Sequence, residues 1–215
     1  MRRFLVFGAL VFLSGGTTAC SNGDSVDTTE SDTDTDVDTD ADVDGVEIAY
    51  DDGSAEEMLV PETETPDAQV AVRFTADSYP AELIGASFWI GRDAEPNTPF
   101  AVRVYASDGT DGKPGTELLP EPIVTECVFP GGNHWAEADL GGSPITVSAD
   151  FYVAMDWTTA AGFEGEDAQQ LGADYGLPDE RSWWRWSADG KWIPVASIYP
   201  GVDRDAMIRA VVRYE

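Results

Sequence analysis

Apolar residues recur at every second position in four stretches of this chain, a period that predicts β-strands with one buried face. Val70, Val72 and Phe74 share a face within residues 69–75, and Phe100, Val102 and Val104 do so within 100–105. Phe151, Val153, Met155 and Trp157 line a third run. Ile208, Ala210, Val212 and Tyr214 line a fourth, with Arg209 and Arg213 on its opposite side. Residues 83–90 are apolar on both faces, which predicts a central strand. Clusters of Gly, Pro, Asn and Asp at 96–99, 108–115, 131–133, 141–144 and 187–190 supply turns between the runs. No stretch of ten residues or more carries a helical period, although residues 168–171 are expected to form a short helical turn. Many short strands with such punctuation predict an all-β fold over residues 46–215: a single antiparallel β-sandwich.

A different apolar pattern opens the chain. Arg2 and Arg3 precede an apolar run at 4–13, small residues at 14–19, and Cys20. These are the parts of a signal peptide, and ten apolar residues are too short to cross about 30 Å of hydrocarbon as a helix. The segment resembles the lipobox of bacterial lipoproteins. Thr18 and Ala19 suit the two positions before the cysteine, whereas Thr17 stands where that family usually has Leu. The resemblance implies that residues 1–19 are removed, that Cys20 is acylated, and that a lipid bilayer is a partner of the mature protein. Several acyl chains would hold it firmly, since one chain alone binds marginally. Ser21 in place of Asp resembles the pattern of outer-membrane sorting. The alternative is an ordinary secretory signal cut near Ala19, giving a secreted protein.

Residues 20–45 change character again. Asp occupies every second position from Asp32 to Asp44, with no aromatic or basic residue nearby. The period of two does not predict a strand here, because a face made of carboxylates repels its neighbours and offers no burial against the entropy of ordering. A disordered, extended tether with a reach of roughly 80 Å is expected. The tether lacks the glycines that shape a calcium loop, so it attracts counterions diffusely.

The formal charge of −29 is shared as +2 over the signal, −10 over the tether and −21 over the domain. A folded part this acidic argues against nucleic acid and against an anionic membrane face as partners. The domain is expected to be monomeric. Its phrases Tyr50-Asp51-Asp52-Gly53, Phe151-Tyr152-Val153 and Met207-Ile208-Arg209-Ala210-Val211-Val212 resemble the jelly-roll β-sandwich modules of bacterial secreted proteins. That resemblance implies an accessory or adhesive unit.

The densest aromatic patch is residues 182–192, SWWRWSADGKW, which predicts a hairpin turning at Asp189-Gly190. Alternation puts Trp184 and Trp186 on one face and Trp183 with Arg185 on the other. Trp183, Trp184, Trp186, Trp192 and Arg185 are the candidates for a ligand platform, and the competing reading makes them core and cross-strand aromatics. Tyr175 and Trp157 extend the platform if their loops converge on it. No cofactor is expected. The acidic groups Asp51, Asp52 and Glu56, and Asp108 with Asp111, are the candidate calcium ligands, although the second group also reads as an ordinary turn and neither has calcium-loop spacing.

Catalytic signatures are scarce. His134 is the one histidine, no nucleophile-elbow motif occurs, and carboxylate pairs such as Asp156 with Glu164 can be nominated in any chain this acidic. Cys127 has no partner if Cys20 is lipidated and is expected to be a buried thiol. The sequence therefore predicts a surface-tethered, non-enzymatic lipoprotein of the bacterial cell envelope whose sandwich binds carbohydrate or another envelope component. The alternatives are a structural envelope lipoprotein without a discrete ligand and a carboxylate-dependent glycoside hydrolase.

Overall fold

The computed structural model describes residues 45–61, 68–91, 99–125, 133–142, 144–157, 169–176, 180–186, 190–198 and 204–214. All belong to the compact unit Asp42–Glu215. Cys20, the signal, most of the tether, Cys127, Glu164 and the hairpin tip at 187–189 lie outside the described residues.

Strands β1 (Val46–Ile48), β2 (Glu57–Leu59), β3 (Gln69–Phe74), β4 (Ala81–Gly91) and β5 (Phe100–Ala106) lead into a 3-10 turn at Thr110–Gly112. Then follow β6 (Ile123–Thr125), β7 (His134–Asp139), β8 (Ile145–Val147), β9 (Phe151–Asp156), β10 (Gln170–Asp174), β11 (Ser182–Arg185) and β12 (Ile193–Pro194). A single helical turn, α1 (Val195–Ile198), precedes β13 (Asp205–Ala206) and β14 (Ile208–Tyr214). The first sheet has the order β1-β14-β4-β10-β13, with β2 on β10 and both β7 and β8 on β4; the second has the order β12-β11-β3-β9-β5-β6. All these pairings are antiparallel. The chain passes repeatedly from one sheet to the other, as from β3 to β4, from β4 to β5 and from β9 to β10. The fold is thus an all-β, jelly-roll-like sandwich.

The faces read from period two are the ones that meet. Val70, Val72 and Phe74 from β3, Val102 and Val104 from β5, and Val153 and Met155 from β9 pack with Ile208, Ala210 and Val212 of β14 in one core. Phe88 meets Phe100 edge-on across the two sheets at 5.0 Å, and Phe74 stacks on Phe151 at 5.8 Å. Each such ring, fully buried, contributes about 1.5 to 3 kcal/mol.

Strand β4 is central, as expected, with β14 on one side and β7 and β8 on the other. Its two-faced apolar pattern has a second cause. Val211 lies opposite Gly85 but Val212 lies opposite Leu83, so Ile84 is an extra residue in a β-bulge. Inward positions are therefore odd before the bulge, at Ala81 and Leu83, and even after it, at Ala86, Phe88 and Ile90.

The helical turn expected at 168–171 is not formed in its described part. Gln170 and Leu171 begin β10, pairing with Gly91 and Ile90 of β4, and Leu171 also pairs with Leu59 of β2. Local helix propensity in Ala-Gln-Gln-Leu is outweighed by the ladder bonds and by burial of Leu171 at 0% exposure.

Candidate functional site

After the bulge, the even residues of β4 enter the core, so its odd residues Ser87 and Trp89 emerge on the outer side of the first sheet. Cross-strand register decides what they meet. Trp89 lies opposite Trp135 of β7, Ser87 opposite Glu137 on one side and Arg209 of β14 on the other, and Gly85 between Asp139 and Val211. Gly85 and Ser87 are too small to fill the space above the strand. The result is an open trough of about 470 Å³ lined by Glu47, Ile84, Gly85, Ser87, Glu137, Asp139 and Val211.

One end of this face is aromatic. Trp89 and Trp135, both half-buried, meet edge to face with centroids 5.3 Å apart. The guanidinium of Arg209 lies 4.1 Å from the centre of the Trp135 ring. Arg209 donates from Nε and Nη2 to the two carboxylate oxygens of Asp51, at 3.1 and 2.7 Å, and from Nη1 to Glu47 at 2.9 Å. The Asp51 hydrogen bonds are the main reason its pKa rises above the usual arginine value, against the opposing effect of burial. Trp89 spreads over Gly172 of β10, where an added Cβ would lie 2.3 Å from Trp89 Cδ1.

Residues 51 and 52 join this face to a carboxylate trio. Asp52, Glu56 and Asp174 place one oxygen each within 4.8 Å of one another, and among the described residues they are the group of acids close enough to share a cation. Backbone donors already hold them: Asp52 N donates to Asp174 Oδ2 at 2.9 Å, and Tyr175 N donates to Glu56 Oε2 at 3.0 Å. Burial, then the neighbouring charges of Asp52 and Glu56, push the Asp174 carboxyl above its ordinary pKa, with the Asp52 amide opposing them. Asp51, expected with Asp52 and Glu56, is instead committed to Arg209 and to Gly53 N.

The other expected calcium group is a turn. Asp108 accepts from Thr116 N at 2.6 Å and from Thr116 Oγ1 at 2.7 Å, which holds its exposed carboxyl below its ordinary pKa. Asp111 sits within the 3-10 turn at φ 61°. Among the described residues, the two do not converge with a third acid.

The tryptophan-rich hairpin forms as expected, Trp183 pairing with Pro194 and Trp184 with Ile193. Its rings, however, do not offer an open platform. Trp184, 2% exposed, packs in the core 5.8 Å from Trp157 and 5.0 Å from Trp186. Trp183 and Trp192, each 8% exposed, belong to a second small cluster on the outer side of the second sheet with Ala71, Ala154, Tyr105 and Tyr152. The two alanines leave room for rings to lie against the strands. Arg185 covers Trp192 at 4.9 Å, and Lys113 Nζ lies 5.6 Å from the Trp183 ring. Trp157 joins Trp184 inside the core, whereas Tyr175 is exposed at the end of β10, donating its hydroxyl to Glu57 at 3.0 Å.

Asp156 is also enclosed. At 0% exposure it accepts from Gln69 Nε2 at 2.8 Å and pairs with Arg103, which reaches Glu117 at 2.7 Å. His134 opens β7 opposite Ile90. The residues that sequence reasoning did not nominate are Ser87, Trp89, Trp135, Glu137, Asp139, Asp174 and Arg209. Their signal was the alternation itself, since Trp135, Glu137 and Asp139 interleave with the inward Ala136 and Ala138.

No protein-family model matches the chain, and no curated protein matches it. Among solved structures, it is similar to the Clostridial cysteine protease Cwp84 after propeptide cleavage, with a TM-score of 0.53 and 8% identity. That match covers 79% of this chain and 40% of the other. A structure of the cysteine protease and lectin-like domains of Cwp84, a surface layer associated protein of Clostridium difficile, aligns with a TM-score of 0.48 and 10% identity, covering 70% and 32%. This chain thus spans about two fifths or less of the Cwp84 chains it matches. At such identity the first likeness shows a shared fold, a β-sandwich.

Proposed function

We propose that the sandwich is a glycan-binding module displayed at the bacterial cell envelope, held by acylated Cys20 and spaced from the lipid by the acidic tether. The observation that carries this reading is the half-buried Trp89–Trp135 pair beside a carboxylate-rimmed trough. Sugar rings offer apolar faces that stack on indoles, and their hydroxyls donate to carboxylates. Both chemistries stand side by side along β4 and β7. A concave site with aromatic walls and a few polar groups that fix orientation is the usual form of a small-ligand site.

The reading is binding without turnover, because an open, shallow face of this kind supplies stacking and hydrogen bonds, which recognition requires. Acylated Cys20 followed by Ser21 would put the protein in the outer membrane; an ordinary signal cut near Ala19 would make it secreted. Replacing Cys20 with Ala removes palmitate labelling and membrane retention if the anchor is correct, and unchanged retention refutes it. The binding site is tested by titrating the full chain against a glycan panel. Trp135→Ala lowers affinity for the retained glycan by about tenfold or more, as truncation of an interfacial tryptophan commonly does. Unaltered binding by that variant removes the site.

A further inference from the structure

The trough is electrostatically one-sided. Glu137 and Asp139 stand exposed on its β7 wall and Glu47 on its β1 wall. Two arginines of β14 emerge on this face and both are already paired, Arg209 with Asp51 and Glu47 and Arg213 with Glu82. One oxygen of Asp139 accepts from Gly141 N at 2.7 Å, which leaves its second oxygen and both oxygens of Glu137 available to a ligand. On the floor, Ser87 is 8% exposed, and its hydroxyl meets no hydrogen-bond partner among the described residues. Open to the acid-lined trough, this hydroxyl can both donate to and accept from a ligand group.

Arg209 shows what the face accommodates. Its guanidinium lies on the Trp135 ring and between two carboxylates, so a cation is stabilised here by ring and charge together. An acidic glycan brought to the same walls meets like charge, and a neutral one leaves Glu137 and Asp139 with hydroxyl contacts alone. The charge of −21 on the surrounding domain further raises the local concentration of polycations.

Resting on the glycan reading above, we propose that this face selects glycans bearing free amino groups: amino sugars whose ammonium is received by Glu137 and Asp139 while a ring stacks on the Trp89–Trp135 pair and a hydroxyl bonds to Ser87. No bond is made or broken. Charge discriminates among glycans, and the indoles discriminate glycans from other polycations.

The experiment titrates the full chain with four probes at about 50 mM salt, where surface charges act over roughly 14 Å. These are a glucosamine hexamer, its N-acetylated counterpart, a galacturonate hexamer and hexalysine. The glucosamine hexamer is expected to bind most tightly, at least about fivefold better than the N-acetylated form. Glu137→Gln and Asp139→Asn each reduce that preference by about two- to fivefold, the range of an exposed ion pair. Raising the salt tenfold reduces it as well. Neutral and amino hexamers binding equally, with both variants silent, overturns the amine assignment while the glycan site stands. Hexalysine binding as tightly as the glucosamine hexamer overturns it too, because charge alone would then be read. If no hexamer binds, the amine assignment falls together with the glycan reading.

Discussion

Gly172→Ala is a test of the site from beneath. Gly172 lies under Trp89, and an added Cβ would stand 2.3 Å from Trp89 Cδ1, 3.0 Å from Trp89 Cγ and 3.0 Å from Met207 Sδ. Carbon atoms rest about 3.5 to 4.0 Å apart, so the indole must move outward by roughly 1 Å or more. Met207 cannot yield easily in turn, being 0% exposed, with its backbone bonded to Gly172 O at 2.9 Å. Overpacking of this kind costs about 1 to 3 kcal/mol. For a domain of this size that lowers Tm by about 2 to 12 °C. Calorimetry measures the loss, and glycan titration measures the consequence for a site that residue 172 does not line. Combining Gly172→Ala with Trp89→Ala is expected to recover part of the stability without recovering binding, since the clash with the ring disappears while that with Met207 Sδ remains. A Tm within about 1 °C of the parent and unchanged binding would refute the claim that Trp89 is seated on Gly172.

Three further outcomes follow from the same structure. Asp156→Ala leaves Arg103 with Glu117 alone beside a buried gap, and is expected to cost about 3 kcal/mol by chemical denaturation; a loss under about 1 kcal/mol contradicts the buried pairing. Asp174→Asn is expected to raise Tm at neutral pH. The folded state raises this carboxyl above its unfolded pKa, so the fold favours the protonated form, and ionising the group as pH rises through the folded pKa costs stability. The gain from Asn therefore vanishes below about pH 4, where the carboxyl is protonated folded and unfolded alike; a gain independent of pH refutes the carboxylate crowding. Arg209→Met strips the ring of its cation and leaves the nearly buried Asp51 carboxylate without its ion pair, so chemical denaturation at pH 7 is expected to show a loss of stability; an unchanged midpoint contradicts the pairing.

The strand faces were legible because period two is a local signal, and the core needs no more than the right residues on the right side. Val70, Val72 and Phe74 could be assigned inward without knowing what they would meet. The bulge could not be read, since nothing in residues 83–90 marks Ile84 as supernumerary; only the register against Val211 and Val212 does. Strand β10 was missed for a related reason. Its Gln-Gln-Leu segment has no strand signal of its own and is held by partners from β4 and β2, both far away in sequence.

The site shows the same division more sharply. Density of tryptophan along 182–192 does not by itself separate a ligand platform from a packed layer; small residues at Ala71 and Ala154 let the second sheet grow an outer aromatic layer that covers Trp183 and Trp192. Trp89 and Trp135 stand 46 positions apart, and only the β4–β7 register brings them together. Asp174 joins Asp52 across 122 positions by a contact no local pattern announces. Outward alternation identified which side chains leave the core, but not which of them become neighbours.

The glycan site is tested most directly by following the indole N–H signals of the full chain by NMR during titration with a glycan panel. Trp89 and Trp135 are expected to shift with the retained glycan while Trp183, Trp184 and Trp192 keep their positions. Shifts confined to the residues of the 182–192 hairpin, with Trp89 and Trp135 unmoved, would contradict the site.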